Sequence, residues 1–444
     1  MVTAIITVFI LGYAFIATEG LTKLNKAGVA ILMSVICWVL FAVGGFGGEE
    51  LHEIIERNLG EAGTTLFFLM GAMAIVELVD SYGGFNFVRR ILQTTSKKSL
   101  LWKMAILTAF LSAVLDNLTT TIVMLMILNK LVSSDDDKLI YASMIVIAAN
   151  AGGAFSPIGD VTTIMLWNGG MVSAVGVISS LILPSIVSFV VPCFMLQGRL
   201  QGSLALTPAP PKGVKQKKIV DGQEIVKRSE RIEVFIIGVG GLCCVPVFHS
   251  LTGLPPFVGI LAVLGMLWVL TDFLHRNVKK TSHTLTHMFA RIDMSTIMFF
   301  LGILMSVSVL SEIGVLNALG MWLSEKVSNS YIITGVIGIL SSIVDNVPLV
   351  AGAMKMYPIA DATAIAANPE LVAMAQDGIF WQLLAYCAGV GGSMLIIGSA
   401  AGVVAMGTEN ISFGWYMKHI SWIALVGYLA GMAVYFLEDL LILA

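Results

Sequence analysis

Long apolar runs separated by short polar stretches make up almost the whole chain. They cover residues 3–22, 26–46, 62–80, 139–167 and 171–196, then 233–252, 257–274, 294–312, 380–407 and 420–440. Each approaches or exceeds the ~20 residues a helix needs to cross ~30 Å of hydrocarbon. Two further runs, 100–132 and 330–357, are interrupted midway by Asp-Asn. Each is long enough for two half-crossings that meet at a polar tip. The pattern predicts ten spanning helices and two re-entrant hairpins, with 139–167 and 380–407 broken internally by glycines. The one long polar segment, 197–232, holds Pro208, Pro210, Pro211 and a Lys-rich stretch. It reads as a linker between a first unit, 1–196, and a second, 233–444.

Composition sharpens this picture. Apolar residues make up 57% of the 444 and charged residues only 12%, with mean hydropathy +0.92, where a soluble protein carries about a quarter charged. No polar surface is left to face water, so the expected class is an all-α polytopic membrane protein in the lipid bilayer. A net charge of −3 argues against nucleic acid as a partner, because no large basic surface exists to neutralise phosphates. The basic residues sort the loops: 22 of the 25 fall on one side, leaving Arg57, Lys326 and Lys355 on the other. The positive-inside rule then places the first set in the cytoplasm and both termini in the periplasm.

The two units resemble each other. Leu111-Ser112-Ala113-Val114-Leu115-Asp116-Asn117 recurs as Leu340-Ser341-Ser342-Ile343-Val344-Asp345-Asn346. Gly152-Gly153 and Ile158-Gly159 recur as Gly391-Gly392 and Ile397-Gly398, while Glu77 and Glu312 each follow a Phe-Phe-Leu. Five spans per unit is an odd number, so the second repeat sits inverted relative to the first. Inverted repeats with interrupted helices are the architecture of secondary transporters, whose sites lie near the midplane where the repeats meet.

A carboxylate at lipid depth costs ~2.5–3.5 kcal/mol on insertion scales and is normally functional. Asp116 opens Asp116-Asn117-Leu118-Thr119-Thr120-Thr121. Asp160 lies in Asn150-Ala151-Gly152-Gly153-Ala154-Phe155-Ser156-Pro157-Ile158-Gly159-Asp160-Val161-Thr162-Thr163. Capping of broken helix ends accounts for part of such motifs, but Ser or Asn caps as well without a charge. Carboxylates, amides and hydroxyls gathered at a break form the oxygen set that a hard cation such as Na⁺ takes. The expected metal ligands for Na⁺ are Asp116 and Asp160, with Asn117, Thr119, Thr120, Asn150, Ser156, Thr162 and Thr163 as further donors. Asp345, Asn346, Ser393 and Ser399 form a weaker counterpart in the second repeat, where Ser399 stands in place of Asp160. Glu77 and Glu312, at span ends, are candidates for a proton or ion route. The Asp135-Asp136-Asp137 run reads as a solvated loop. No P-loop lysine motif occurs, so the glycine-rich spans are not nucleotide loops.

The Asp-Asn tips and the Asn150–Thr163 motif resemble NhaD-type sodium/proton antiporters of the ion transporter superfamily, over essentially the whole chain. That resemblance implies a bacterial inner-membrane homodimer, with a transport domain moving against a scaffold. It also implies Na⁺ and Li⁺ export in exchange for protons, with no cofactor. Sister families that carry dicarboxylates have Ser-Asn-Thr at the tips; an acid replaces that serine here and would repel an anion. The expected activity is exchange of cytoplasmic Na⁺ for external H⁺ by competition at buried carboxylates, and the alternative is a Na⁺-coupled importer of a dicarboxylate. An intramembrane aspartyl protease needs a Tyr-Asp and Gly-x-Gly-Asp pair, where this chain has Leu115-Asp116 and Pro157-Ile158-Gly159-Asp160, so no enzymatic activity is expected.

Overall fold

In hydrocarbon a helix satisfies every backbone group internally, and the apolar runs fold accordingly. The computed structural model describes residues 1–17, 24–200, 202–204, 219–220, 223–224, 227–275, 288–327, 329–343 and 346–443. Among these, the non-helical pairing is limited to a two-residue antiparallel ladder, Ile219–Val220 with Gln223–Glu224, and one bridge between Ser96 and Ser203. Most of the linker lies outside the described residues.

The first half contains α1 (Val2–Ala17), α2 (Lys26–Val43), α3 (Leu51–Ser81), α4 (Asn86–Ile91), α5 (Lys97–Leu115), α6 (Asn117–Leu131), α7 (Asp135–Ala154), α8 (Val161–Asn168) and α9 (Ala174–Leu196). The second contains α10 (Arg228–Thr252), α11 (Pro256–His275), α12 (Met294–Glu312), α13 (Val315–Lys326), α14 (Ser330–Ser341), α15 (Asn346–Met356), α16 (Ala362–Ala367), α17 (Ile379–Gly391), α18 (Ala400–Thr408), α19 (Phe413–His419) and α20 (Ser421–Leu443). Among the described residues eight helices are long and apolar enough to cross a membrane: α2, α3, α5, α9, α10, α11, α12 and α20. The chain is a multi-pass membrane protein.

The boundaries refine the sequence reading. Runs 139–167 and 380–407 each contain two helices, α7 with α8 and α17 with α18. Run 62–80 is the end of a 31-residue helix that starts at Leu51. At 19 residues α5 is long enough to cross by itself, whereas α14 has 12. Asp135-Asp136-Asp137 is not a loop but the first turn of α7, capped by Ser134, with Asp137 paired to Lys97 at 2.6 Å. Acids in a first turn suit the positive end of the helix dipole. Cys37, Cys193 and Cys387 are buried, while Cys243 and Cys244 lie exposed on α10.

Each half packs in the same pattern. α1 lies on α2 and α10 on α11; α2 runs along α12 and α11 along α3; α5 packs on α7 and α14 on α17; α6 meets α18 and α15 meets α8; α9 runs along α20. The first three helices of each half form one group and the broken helices with α9 and α20 another. Between the groups α12 packs on α15 and α3 on α8, while the counterpart pairs α3–α6 and α12–α18 have no comparable packing among the described residues.

Two ion pairs fix how α3 and α12 cross. Arg57, near the start of α3, meets Glu312, the last residue of α12, at 2.6 Å; Arg291, just before α12, meets Glu77, near the end of α3, at 3.4 Å. The helices are therefore antiparallel, with one pair at each end, about 30 Å apart at 1.5 Å per residue. Arg57 is largely exposed, and exposed pairs contribute about 0–1 kcal/mol. Arg57→Ala is accordingly expected to lower stability by less than about 1 kcal/mol, read as a small shift in the melting of purified protein. Asn58 Nδ2 still donates to Glu312 Oε1 at 2.9 Å.

Candidate ion-binding site

Each half interrupts its helices twice, and the interruptions meet. Between α5 and α6 the chain turns on Asp116 alone, at φ +92°. A non-glycine residue in this region costs of order 1–3 kcal/mol and persists only where its surroundings enforce it. Here its carboxylate caps α6, accepting from Thr119 N and Thr119 Oγ1, both at 2.8 Å. α7 ends at Ala154, and Asp160 caps α8, with Oδ1 accepting from Thr162 N at 3.0 Å. In the second half Asn346 opens α15, and Ser399 caps α18 through Gly402 N at 3.2 Å. Four helices thus begin at residues that take part in this site or flank it. Their N-terminal dipole ends favour a negative charge, which Asp160 supplies.

Close backbone contact makes this convergence possible. A Cβ at Gly152 would run into the carbonyl of Ala109 on α5, and one at Gly391 into the carbonyl of Gly338 on α14. Beside them Ser112 Oγ donates to Ala149 O at 2.6 Å, and Ser341 Oγ to Ala388 O at 2.8 Å. These serines lock each broken helix to its neighbour. The sequence reading did not single them out, although both lie inside the matched heptapeptides.

At the centre is Asp160, only 1% exposed. Asn117 Nδ2 donates to Asp160 Oδ2 at 2.9 Å and to Asn150 Oδ1 at 3.1 Å. Asn346 Nδ2 reaches both carboxylate oxygens, at 3.3 and 3.4 Å. Asn150 Nδ2 donates to Ser393 Oγ and Ser399 Oγ, both at 2.9 Å. One buried carboxylate therefore gathers three amides and two hydroxyls from both halves. Tyr416 OH supports the far side by donating to Ser393 O at 2.8 Å, a contact nothing in the sequence announced.

Not every candidate joins this cluster. Asp116 is buried one residue from Asn117, yet its bonds go to the start of its own helix, α6. Thr119 is bound to Asp116, Thr163 Oγ1 donates to Asp160 O, and Ser156 Oγ donates to Ala113 O. Thr120 and Thr162 are buried with hydroxyls that have no partner. Asp345 lies outside the described residues. Glu77 and Glu312 sit at opposite ends of the α3–α12 pair, held by arginines. Among the described residues no three His, Cys, Asp or Glu side chains group to hold a metal; the central cluster has one carboxylate and otherwise neutral oxygens and amides, a set for a hard monovalent ion.

The family model described as CitMHS, citrate transporter, matches residues 13–376, which include Asp116, Asp160 and Asn346. The chain belongs to this family. It is 42% identical to sodium/proton antiporter 1 of Arabidopsis thaliana, over 97% of the chain and 72% of that protein. It is 28% identical to the Na(+)/H(+) antiporter NhaD of Vibrio cholerae, over 98% of the chain and 91% of the relative. The resemblance to NhaD-type antiporters that the Asp116 and Asp160 motifs carry is therefore borne out. Among solved structures, the crystal structure of the Alcanivorax borkumensis YdaH transporter matches with a TM-score of 0.54 at 13% identity, covering 93% of this chain and 98% of that one. The two share a fold.

Proposed function

We propose that this protein exchanges sodium for protons across its membrane. The observation that carries the reading is the buried Asp160 carboxylate, ringed by Asn117, Asn150, Asn346, Ser393 and Ser399, in a chain whose relatives are sodium/proton antiporters. A carboxylate at this depth is costly unless an ion neutralises it, and either Na⁺ or H⁺ does so. The two compete for one site, so the loaded or protonated form crosses and the bare form does not. Exchange follows from that restriction. An ionised carboxylate has about four lone-pair sites, and Thr162 N, Asn117 and Asn346 occupy them. The Asn346 bonds are the longest and yield first when Na⁺ enters. Asn150 Oδ1 and the two serine hydroxyls then complete an oxygen shell.

The finer reading rests on the packing. The halves 1–196 and 233–444 are inverted repeats, each with one re-entrant hairpin, the first turning at Asp116. The group containing α5–α9, α14, α15, α17, α18 and α20 is the moving part, and α1–α3 with α10–α12 the scaffold. The one-sided contact of α12 with α15 and of α3 with α8 is what one end-state of an elevator cycle leaves behind. Li⁺, which resembles Na⁺ as a hard cation, shares the route. We also infer a homodimer in a bacterial inner membrane, with both termini outside. The family description names citrate; an importer of that anion, coupled to Na⁺, is the second reading. The Asp160 cluster counts against it, since it presents a carboxylate and no basic side chain to a carboxylate cargo.

Proteoliposomes carrying a pH-sensitive fluorophore test this directly. A sodium pulse moves protons in the antiport reading, whereas labelled citrate uptake with no proton movement overturns it. Asp116 is assigned the second charge of the transport cycle. Asp116→Asn keeps an oxygen to cap Thr119 and is expected to slow exchange by at least about tenfold, equivalent to about 1.4 kcal/mol. Full exchange in this variant removes Asp116 from the mechanism.

A further inference from the structure

A cavity of about 460 Å³ lies between α3, α8, α12 and α15, and Asn58, Glu61, Asn168, Ser308 and Lys355 are among its walls. We propose that it is a second cation-binding station, holding a partly hydrated monovalent ion of the sodium class. The inference rests on the antiport reading above, in which this end of the molecule faces outside.

Orphaned acceptors carry the argument. Asn58 is 1% exposed. Its Nδ2 donates to Ile54 O at 2.8 Å and to Glu312 Oε1 at 2.9 Å, which fixes the amide orientation because both partners are acceptors. Its Oδ1 is then left buried with no donor in the wall of the cavity. Asn168, the last residue of α8, lines the same cavity, and neither of its amide atoms has a partner. Two unpartnered acceptors in one wall, Asn58 Oδ1 and Asn168 Oδ1, fit a cation, and the equally unpartnered donor Asn168 Nδ2 fits a water of its remaining hydration shell. Ser308 Oγ donates to Leu304 O at 3.0 Å, which leaves its own lone pairs open. The C-terminal end of α8 adds a negative dipole end.

Glu61 lines the cavity and is bridged by Lys355, and Glu312, held behind Asn58, is paired with Arg57, so each acid is balanced by one base. The Lys355 ammonium is thus the resident countercharge, and an arriving ion displaces it from Glu61. Calcium takes 6–8 oxygens with several carboxylates, which this wall does not provide. Softer metals need Cys or His, and no such group forms among the described residues. Asn168 is one short helix from Asp160, eight residues or about 12 Å. An ion bound here waits at the outer end of the path without sharing ligands with the central site.

Binding of radiolabelled sodium to the purified full-length chain tests the station. Asp160→Asn silences the central site, and the expected result is a remaining saturable, weaker class of binding. Asn168→Leu added to Asp160→Asn is expected to remove that class, while Lys355→Met, which frees Glu61, tightens it at least threefold. Melting curves and gel filtration confirm that each variant is folded, and the partly exposed Lys355 position keeps the test valid if Asn168→Leu is not. No saturable binding in folded Asp160→Asn, or binding there that Lys355→Met leaves unchanged, means the cavity holds water only and overturns the proposal. Failure of the antiport reading is separate: it appears as wild-type vesicles that move no protons on a sodium pulse.

Discussion

Asp160→Asn is expected to reduce sodium-dependent proton movement by roughly 100-fold or more, the factor that about 2.8 kcal/mol represents. The substitution is nearly isosteric. Its amide oxygen still accepts from Thr162 N, so the cap of α8 survives and the protein folds. The charge is lost, and with it, in the proposed exchange, the reason for Na⁺ or H⁺ to load. Both Asn117 and Asn346 donate to this carboxylate, so an amide in its place also turns a donor toward donors. Asp160→Glu keeps the charge but forces an extra methylene into a site with almost no free surface, and partial activity is the expected outcome. Proteoliposome fluorescence after a sodium pulse reads both variants. Wild-type rates in Asp160→Asn remove this residue from the ion path and the proposed function with it.

The second large effect is on folding. Gly152→Val places a branched side chain against the backbone of Ala109, where a Cβ already meets the carbonyl oxygen, carbon and Cα of that residue. Backbone cannot rotate away as a side chain does, so α5 and α7 must separate and the Ser112–Ala149 bond must stretch. Overpacking of this kind costs about 1–3 kcal/mol and occasionally more, and this position stands at the upper end. The expected result is a marked loss of monodisperse protein and of melting temperature. Gly391→Val repeats the effect against Gly338. Gly240→Ala, where an added Cβ meets nothing within 4 Å, gains about 0.5–1 kcal/mol of helix preference and serves as the control. Equal behaviour of Gly152→Val and Gly240→Ala rejects the account.

Much of the site could be read from the chain because acids and amides stand out against apolar sequence. Asp160, Asn150 and Asn117 announce themselves by the cost of burying them. What the sequence could not show is which of them meet. Asn346 and Asp160 are 186 positions apart and bond, while Asp116, one position from Asn117, turns to its own helix. Chain proximity carries no information about that choice, which depends on how α15 approaches α8. Ser112 and Ser341 escaped notice because a serine in an apolar run usually bonds its own helix, as Ser306 does with Gly302. Within the Asp135–Asp137 run, Asp135 and Asp136 are exposed as the sequence suggests, and Asp137 is buried because its partner, Lys97, lies on another helix. Asn58 and Asn168 were missed because neither belongs to a repeated motif.

The reciprocal Arg57–Glu312 and Arg291–Glu77 clasps give α3 and α12 a fixed apolar length. Neither helix can slide or lean to suit a different membrane without opening one clasp. Opening one clasp costs about 0–1 kcal/mol and deforming the bilayer fractions of a kcal/mol per ångström, so lipids with shorter or longer acyl chains share the adjustment with the protein. Clasped at both ends, α3 and α12 mark the membrane thickness that the protein prefers.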